Sequence, residues 1–484
     1  MLVKENKKLK TNNSITFCQI VRFTLFFILA NNPFLSASSQ GLSVYSNQPS
    51  LLKTENIYLN PVTNTKKNFW RATAEWTLVQ LLPWASNYYI RKADFARISL
   101  NTIANNFKTS EWDDNNFFNN QFSHPYQGSL YFNSFRSNGY NFWESTPAVV
   151  AGSFIWETML EKNPPSPNDI INTSFGGIIF GEMTNRLSKV ILRRKVGKKK
   201  GISEPAAFVI NPMQGLSRLM DKDFRKPMEP SFSNDPPVAL VSDAGVRFIS
   251  KNGKYLQTKA ALEVFGRIQL QYGDPYVQFK EPFSNFSLVA EFGSSDTSVV
   301  NTLQIEASIY GKKIKENTRS DYVFNISMNY DLFQNSAFRY GAQSLNANLL
   351  SAFNISKDFQ VQLKAGTGII LLAAVPNTYM YIGDGRSYDY CSGLSFQGAV
   401  GINIANKLFY DFNYSGGRTI TLNGYQANHR YYNTVSALRV VIYKGLTFIA
   451  TNSNHFFNGY YKQYPIIYDR SLFRSFGLGY KVIF

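Results

Sequence analysis

The last stretch of the chain, FGLGYKVIF at positions 476–484, decides the fold class because its side chains alternate from Phe476 to Val482. Every even-numbered residue from Phe476 to Phe484 is aromatic or aliphatic, and these residues share one face of an extended chain. Small or charged residues such as Gly477 and Lys481 occupy the other face. This period of two predicts a β-strand with one apolar face, and that strand ends the chain on an aromatic residue.

The same alternation recurs upstream and predicts a series of strands. In residues 302–310, Leu303 and Ile305 lie on one face while Gln304 and Glu306 lie on the other. Comparable segments are 322–330, 361–369, 408–414 and 438–443. Counted from about residue 256, the tally is about twelve strands. A soluble β-sandwich alternates in the same way, so the alternation alone leaves the surroundings of the strands open.

Loop lengths and the last strand together indicate a membrane barrel. Short turns at 356–357, 406–407 and 444–445 alternate with longer connections at 311–321, 374–392, 417–430 and 455–472. Outer-membrane barrels have short periplasmic turns and longer outer loops. The aromatic last strand resembles the terminal signature of bacterial outer-membrane proteins. This resemblance implies a periplasmic C-terminus, outer-membrane lipid as surroundings, and the barrel-assembly machinery as a partner during biogenesis.

The N-terminus predicts export. Residues 1–39 contain a basic start, an apolar run at 23–30 and small residues at 36–39, which is typical of a secretory signal peptide. A membrane anchor is the alternative, but the apolar run is short for a span. Removal of the leader takes Cys18 and leaves Cys391 as a single thiol, so we expect no disulfide and no cysteine metal cluster.

Between the leader and the strands the chain changes character several times. Residues 40–67 are a loose segment, 68–192 follow a helical period, 193–244 are a basic and Pro/Ser-rich linker, and 245–484 form the barrel. The formal charge is +18, and part of it lies in the basic run at 193–200. In an envelope protein such a run is expected to be solvated or to contact anionic lipid headgroups, so we expect no nucleic-acid partner.

The helical segment carries an unusual set of polar motifs. His124-Pro125 opens one helix, Trp156-Glu157 lies in a second, and Ser166-Pro167-Asn168-Asp169 precedes a glycine-rich third. Over residues 113–188 these motifs resemble an uncharacterised bacterial family that joins a His-Pro and Trp-Glu helical motif to an envelope barrel. The order of a histidine, a glutamate-bearing helix and Ser-x-x-Asp is also similar to VanZ-like membrane proteins, although this chain differs from them in its attached barrel. Neither resemblance implies a particular reaction.

Three residues of this segment are the candidate site. His124 is predicted to act as a general base or metal ligand, with Glu157 and Asp169 orienting it or binding the same metal ion. The alternative is structural: His124 caps a helix and bonds to one carboxylate, and Asp169 completes a cap begun by Ser166. The Gly177-x-x-x-Gly181 spacing predicts close helix packing. Glu182 and Arg186, four residues apart, are expected to form a simple surface pair.

The sequence therefore predicts a mainly β protein: an outer-membrane antiparallel β-barrel of about twelve strands with an N-terminal helical domain. The helical domain either faces the periplasm or plugs the barrel. The expected function is structural, partner-docking or plugged transport, with a periplasmic protein as a further partner. The alternative is a barrel-anchored enzyme that modifies envelope lipid or cell-wall material through His124, Glu157 and Asp169. No cofactor is named by the sequence, and the identity of any metal stays open.

Overall fold

The computed structural model describes residues 66–193, 203–223, 236–251, 254–255, 262–279, 281–294, 298–316, 319–335 and 339–483. The predicted signal peptide, residues 40–65 and most of the basic run lie outside these ranges. Within them the protein consists of a bundle of short helices followed by a closed β-barrel.

The helical domain contains eight α-helices joined in places by π-helical turns. The α-helices are α1 (Phe69–Ala85), α2 (Leu100–Asn106), α3 (His124–Arg136), α4 (Phe142–Ile155), α5 (Pro167–Ile171), α6 (Gly177–Arg193), α7 (Ser203–Ile210) and α8 (Pro212–Met220). The π-helical turns are Ser86–Arg91, Asn119–Ser123, Trp156–Leu160 and Asn172–Gly176, and Asp94–Ala96 is a short 3₁₀ turn. Helices α7 and α8 lie in the segment that the sequence predicted as a linker. None of the helices that the structure describes is long and apolar enough to cross a membrane.

The barrel is built from twelve long antiparallel strands. They are β1 (Val238–Lys251), β3 (Leu262–Tyr272), β4 (Phe286–Gly293), β5 (Val300–Glu316), β6 (Ser320–Gln334), β7 (Arg339–Ser356), β8 (Phe359–Pro376), β9 (Tyr388–Ile404), β10 (Leu408–Asn423), β11 (Ala427–Tyr443), β12 (Leu446–Tyr461) and β13 (Ile467–Ile483), with a two-residue strand β2 (Lys254–Tyr255) paired to the end of β1. Each long strand pairs with the next, and β13 pairs with β1, which closes the sheet. The predicted fold class is confirmed.

The strand ends define two sides of the barrel. Tight connections follow β7, β9 and β11, and the C-terminal end of β13 lies on the same side, which we call the turn side. The prediction that 311–321 is a long outer connection is wrong: β5 continues to Glu316 and β6 begins at Ser320, so only about three residues separate these strands on the turn side. The barrel begins at Val238, before the predicted boundary at 245.

The outward face of the barrel is apolar where it is uncovered. Phe476, Leu478 and Tyr480 of β13 are about half exposed, and the residues between them point inward. Exposed apolar residues continue around the wall, as at Leu394 and Phe396 of β9. Apolar side chains outside and polar ones inside are the arrangement of a barrel that spans the outer membrane.

The helical domain packs on the outward face of the barrel. Tyr388 and Tyr390 of β9 are an even number of residues from the exposed Leu394, so their side chains share its outward face of the strand. Both tyrosines are nevertheless buried, because the helices cover them. Asn120 donates from Nδ2 to the hydroxyls of Tyr388 (2.6 Å) and Tyr390 (2.7 Å). Gln343, which also points outward, donates to Asn172 at 3.0 Å. The helices therefore cover wall that would otherwise be exposed.

The contact runs along the wall from one side of the barrel to the other. Near the turn side, Phe142 of α4 packs on Phe283, and the Arg186 guanidinium of α6 lies over Tyr272. At the opposite side the contact ends on Tyr388 and Tyr390. This position differs from both predictions, a plug inside the barrel and a domain that only faces the periplasm.

Side chains of the strands bridge the lumen themselves. The rings of Phe333 in β6 and His455 in β12 lie 6.0 Å apart, although these strands are on opposite sides of the barrel in the pairing order. Tyr340 of β7 and Tyr431 of β11 are 4.3 Å apart. Lys364 of β8 forms an ion pair with Glu306 of β5. Contacts across the lumen are expected to obstruct the passage of ions.

Close packing within the helical domain depends on glycine, as the Gly177-x-x-x-Gly181 spacing predicted. A Cβ atom added at Gly128 of α3 would lie 2.0 Å from the Thr173 carbonyl oxygen and 2.9 Å from the Cα of Gly177. We expect Gly128→Ala to cost about 2 kcal/mol, because overpacking forces the helices apart. Chemical unfolding followed by circular dichroism measures this loss. Gly266→Ala is the matched control, since a Cβ there meets nothing within 4 Å, and equal losses in both variants would contradict the packing.

The bridged lumen predicts low conductance. In planar bilayers the parent protein is expected to pass little steady current, and Phe333→Ala combined with Tyr340→Ala should raise it because two contacts across the lumen are lost. Phe448→Ala, which removes an exposed aromatic ring from the outward face, is the control and should change nothing. A large steady conductance of the parent would show that the lumen is open.

Candidate functional site

The structure brings two of the three predicted site residues together. His124, the first residue of α3, places Nε2 3.4 Å from Oδ1 of Asp169 in α5. Its other ring nitrogen, Nδ1, lies 3.4 Å from the Thr173 hydroxyl. The side chain of Asp169 is 5% exposed and that of His124 19% exposed, so the pair is sheltered but can be reached from one side.

Asp113 is a further member of the site that the sequence analysis did not select. Asp113, His124 and Asp169 can each offer one ligand atom, and these three atoms all lie within 4.8 Å of one another. Among the residues that the structure describes, the Oδ2 atom of Asp113 is buried and has no hydrogen-bond partner. The double aspartate at 113–114, upstream of the His-Pro motif, is the sequence signal that could have identified Asp113.

Glu157 lies behind this cluster rather than in contact with His124. It is buried on the π-helical turn after α4, and its Oε2 accepts a hydrogen bond from the Ser166 main-chain N–H at 3.0 Å. Glu161, at the end of the same segment, accepts from the Trp156 indole at 2.7 Å. The predicted cap is also absent, because the Ser166 side chain makes no capping hydrogen bond to α5. Asp169 is still hydrogen-bonded to the Ser166 side chain.

π-Helical turns surround the site. Asn119–Ser123 leads directly into His124, Trp156–Leu160 carries Glu157, and Asn172–Gly176 carries Thr173 shortly after Asp169. A π-turn inserts an extra residue into a helix and so rotates the side chains that follow it, and such turns are frequent at functional sites. Regular helices with the same sequence would aim these side chains differently.

Burial and mutual repulsion change the protonation of the site. Burial, followed by the charges of Glu157, Asp113 and Glu161, raises the pKa of Asp169 well above its usual range. Burial, followed by Glu161, does the same to the pKa of Glu157. Burial raises the pKa of Glu161 to about 7. Burial lowers the pKa of His124 although Asp113 opposes the change, so the imidazole is neutral and able to act as a ligand.

A second buried carboxylate in the same domain shows what a structural pair looks like. Glu182 is held by Arg136 at 2.7 Å and Arg186 at 2.8 Å, so the prediction of a surface pair is wrong. Burial opposes its ionisation, but the two arginines lower the pKa of Glu182 to about 2. Among the described residues of the His124 cluster no arginine or lysine forms such a pair. The cluster is therefore short of positive charge.

The residues present fit a divalent cation. A neutral imidazole and two carboxylates are ligands that zinc and other divalent transition-metal ions accept, and three protein ligands leave positions for water or substrate. Binding of a cation would place positive charge beside the unpartnered Oδ2 of Asp113 and would stabilise ionised Asp169. The structural alternative explains the His124–Asp169 contact but not the unbalanced carboxyl groups.

The outward rim of the barrel holds the site in place. The main-chain carbonyl of Asp113 accepts hydrogen bonds from the hydroxyl of Tyr390 and from Nη1 of Arg386, both at 3.3 Å. The Arg386 guanidinium lies 4.2 Å from the centroid of the Tyr390 ring. The neighbouring carbonyl of Asn115 accepts from Tyr388 at 2.9 Å. The extended segment that carries Asp113 is therefore fixed by the barrel and not only by the helices.

The other two histidines belong to the barrel. The segments 417–430 and 455–472, predicted as longer connections, contain His429 and His455, but these two residues lie in β11 and β12, are buried, and face the lumen. Cys391, a free thiol as predicted, lies 3.6 Å from Nδ1 of His429.

Comparison with known proteins finds a matching domain in the helical segment and similar solved barrels. Residues 109–213 match a domain of unknown function, DUF3943, so the chain combines this domain with an outer-membrane-type barrel. Similar solved structures include the NanC porin (11% identity, 50% of this chain and 100% of that chain, TM-score 0.29) and the KdgM porin (13%, 49% and 98%, TM-score 0.23). A third is the outer membrane channel DcaP of Acinetobacter baumannii (8%, 51% and 96%, TM-score 0.24). The sequence matches no curated protein.

Substitution of Asp113 tests the site directly. Asp113→Asn is expected to weaken binding of Mn²⁺ or Zn²⁺ by at least about tenfold, because one anionic ligand is lost. Asp114→Asn, an exposed neighbour of the same chemistry, should bind as the parent does. Affinity should also fall as pH is lowered, since the raised pKa of Asp169 lets protons compete with the metal. Calorimetric titration of the full chain in detergent measures both effects, and equal binding by the two variants would contradict this site.

Proposed function

We propose that the protein resides in the outer membrane, where a closed barrel supports a helical domain that binds a divalent cation and acts on an envelope lipid. The observation that carries this proposal is the convergence of Asp113, His124 and Asp169 on the outward side of the barrel. The barrel has a structural role in this account, because its lumen is bridged by side chains.

The position of the helical domain supports a lipid substrate. The domain covers outward-facing wall, so it stands where lipid contacts the rest of the barrel. One face of α4 adds an apolar stripe: Trp143 is 60% exposed, Val150 45% and Phe154 43%, at spacings that keep them on one side of the helix. The helix continues into the turn that carries Glu157. A lipid can therefore approach the site along an apolar surface.

The ionisable groups suggest how the site works. Asp113, His124 and Asp169 would hold the ion, which when bound would polarise a phosphate or carbonyl oxygen of the lipid. Burial, followed by the charge of Glu161, raises the pKa of Glu157 and favours its protonated form, so this residue is suited to hold a proton behind the three ion-binding residues. The resemblance of this motif to VanZ-like membrane proteins belongs to the same proposal, since it implies a site at a membrane.

Lipid analysis of cells that produce the parent or a variant tests this function. His124→Ala and Glu157→Gln are expected to assemble as folded barrels but to lose the lipid change that the parent causes. Mass spectrometry of extracted envelope lipids measures the change, and retention of the folded, heat-modifiable form on gels measures assembly. The exposed Asp114→Asn variant serves as the control and should behave as the parent.

Two results would contradict the proposal. If both variants keep the lipid change, the cluster is not catalytic. If both fail to assemble, His124 and Glu157 serve helix packing, and the protein is a structural or partner-docking component of the membrane.

A further inference from the structure

An arginine pair lies on the part of the barrel wall that the helical domain leaves free. Arg418 of β10 and Arg430 of β11 are direct register partners, and both are exposed. Their inward neighbours Thr419 and His429 are buried, so the two arginines point outward. Like charges directly opposite each other on neighbouring strands are destabilising. The arrangement therefore favours an anion bound between the two side chains.

The arginines line a groove with apolar walls. The groove has a volume of about 600 Å³. It is lined by the two arginines with Leu394, Ile420, Leu422 and Tyr460. The three aliphatic residues are each about half exposed. Arg430 lies 5.6 Å from the centroid of the Tyr460 ring, which holds its guanidinium at the edge of the groove. No ion pair between either arginine and a carboxylate is found in the described part of the chain.

The level of the pair on the wall matches a lipid headgroup. β10 begins at Leu408 on the turn side, and Arg418 follows ten residues later. A tilted strand rises roughly 25 Å over that distance, which is about the height of the apolar band of such barrels. With the C-terminus in the periplasm, as the sequence predicts, both arginines lie at the outer edge of the bilayer. Their partner is then an anionic group of an outer-leaflet lipid.

We infer that the Arg418–Arg430 groove binds a phosphate-bearing lipid of the outer leaflet. The phosphate lies between the two guanidinium groups, which can bind it with paired hydrogen bonds. An acyl chain lies against Leu394 and Ile420 on the wall below. This site is separate from the His124 cluster, and its occupation does not depend on the proposed enzymatic function.

Lipid binding to the purified full chain in detergent tests the inference by native mass spectrometry. The double variant Arg418→Gln/Arg430→Gln is expected to bind diphosphorylated lipid A at least tenfold more weakly than the parent. Lys357→Gln/Lys407→Gln removes two exposed charges from the turn side and should bind as the parent does. Lipid A without its phosphates should bind the parent as weakly as diphosphorylated lipid A binds the double variant. The single variant Arg430→Gln gives the same comparison if the double variant does not assemble.

Three results would overturn the inference. Equal binding of lipid A by the parent and the arginine variant would show that the pair is not the site. An equal loss in the lysine control would show that net charge alone drives binding. Displacement of lipid A by an equal concentration of inorganic phosphate would show that the groove takes the free anion and not the lipid.

Discussion

The hydrogen bonds that Tyr390 and Arg386 donate to the Asp113 carbonyl join the helical domain to the outward rim of the barrel. The segment that carries Asp113 is not helical, and its buried main-chain groups would be costly without partners. The barrel supplies two of those partners, and Asn168 supplies another by accepting from the Asp113 N–H at 3.1 Å. The position of Asp113, and with it the proposed cation site, depends on this contact.

The same contact explains why the helical domain can hold an unbalanced group of carboxyls. The helices are short and contain π-turns and tight glycine contacts, which isolated helices would not maintain. Packing on a rigid sheet compensates for the cost in stability of these features. Glu182 meets the usual requirement of a buried carboxylate by pairing with Arg136 and Arg186. Asp169 lacks a basic partner of this kind apart from His124, and burial together with the neighbouring carboxylates raises its pKa. Burial without charge balance is typical of a site that binds a cation or moves a proton.

The sequence predicts the structural features that are determined by local patterns. Residues 476–484 predict a barrel strand because a period of two can be recognised from the local sequence alone. His124 and Asp169 are found because short motifs carry them. Asp113 is missed because its position depends on Tyr390, far away in the chain, and Glu182 is misassigned because its second partner, Arg136, lies on another helix. The side of the wall on which the helices pack depends on tertiary contacts that no local pattern encodes.

Cysteine cross-linking between helix and strand tests the central claim, that the helices pack on the outward face. Gln343 points outward toward Asn172, whereas Ser344, one residue later in β7, points into the lumen. With Cys391→Ala as background, Asn172→Cys paired with Gln343→Cys should form a cross-link with a short bifunctional reagent in membranes, and Asn172→Cys paired with Ser344→Cys should not. The opposite result, a cross-link to position 344 alone, would place the helices inside the barrel and contradict the account.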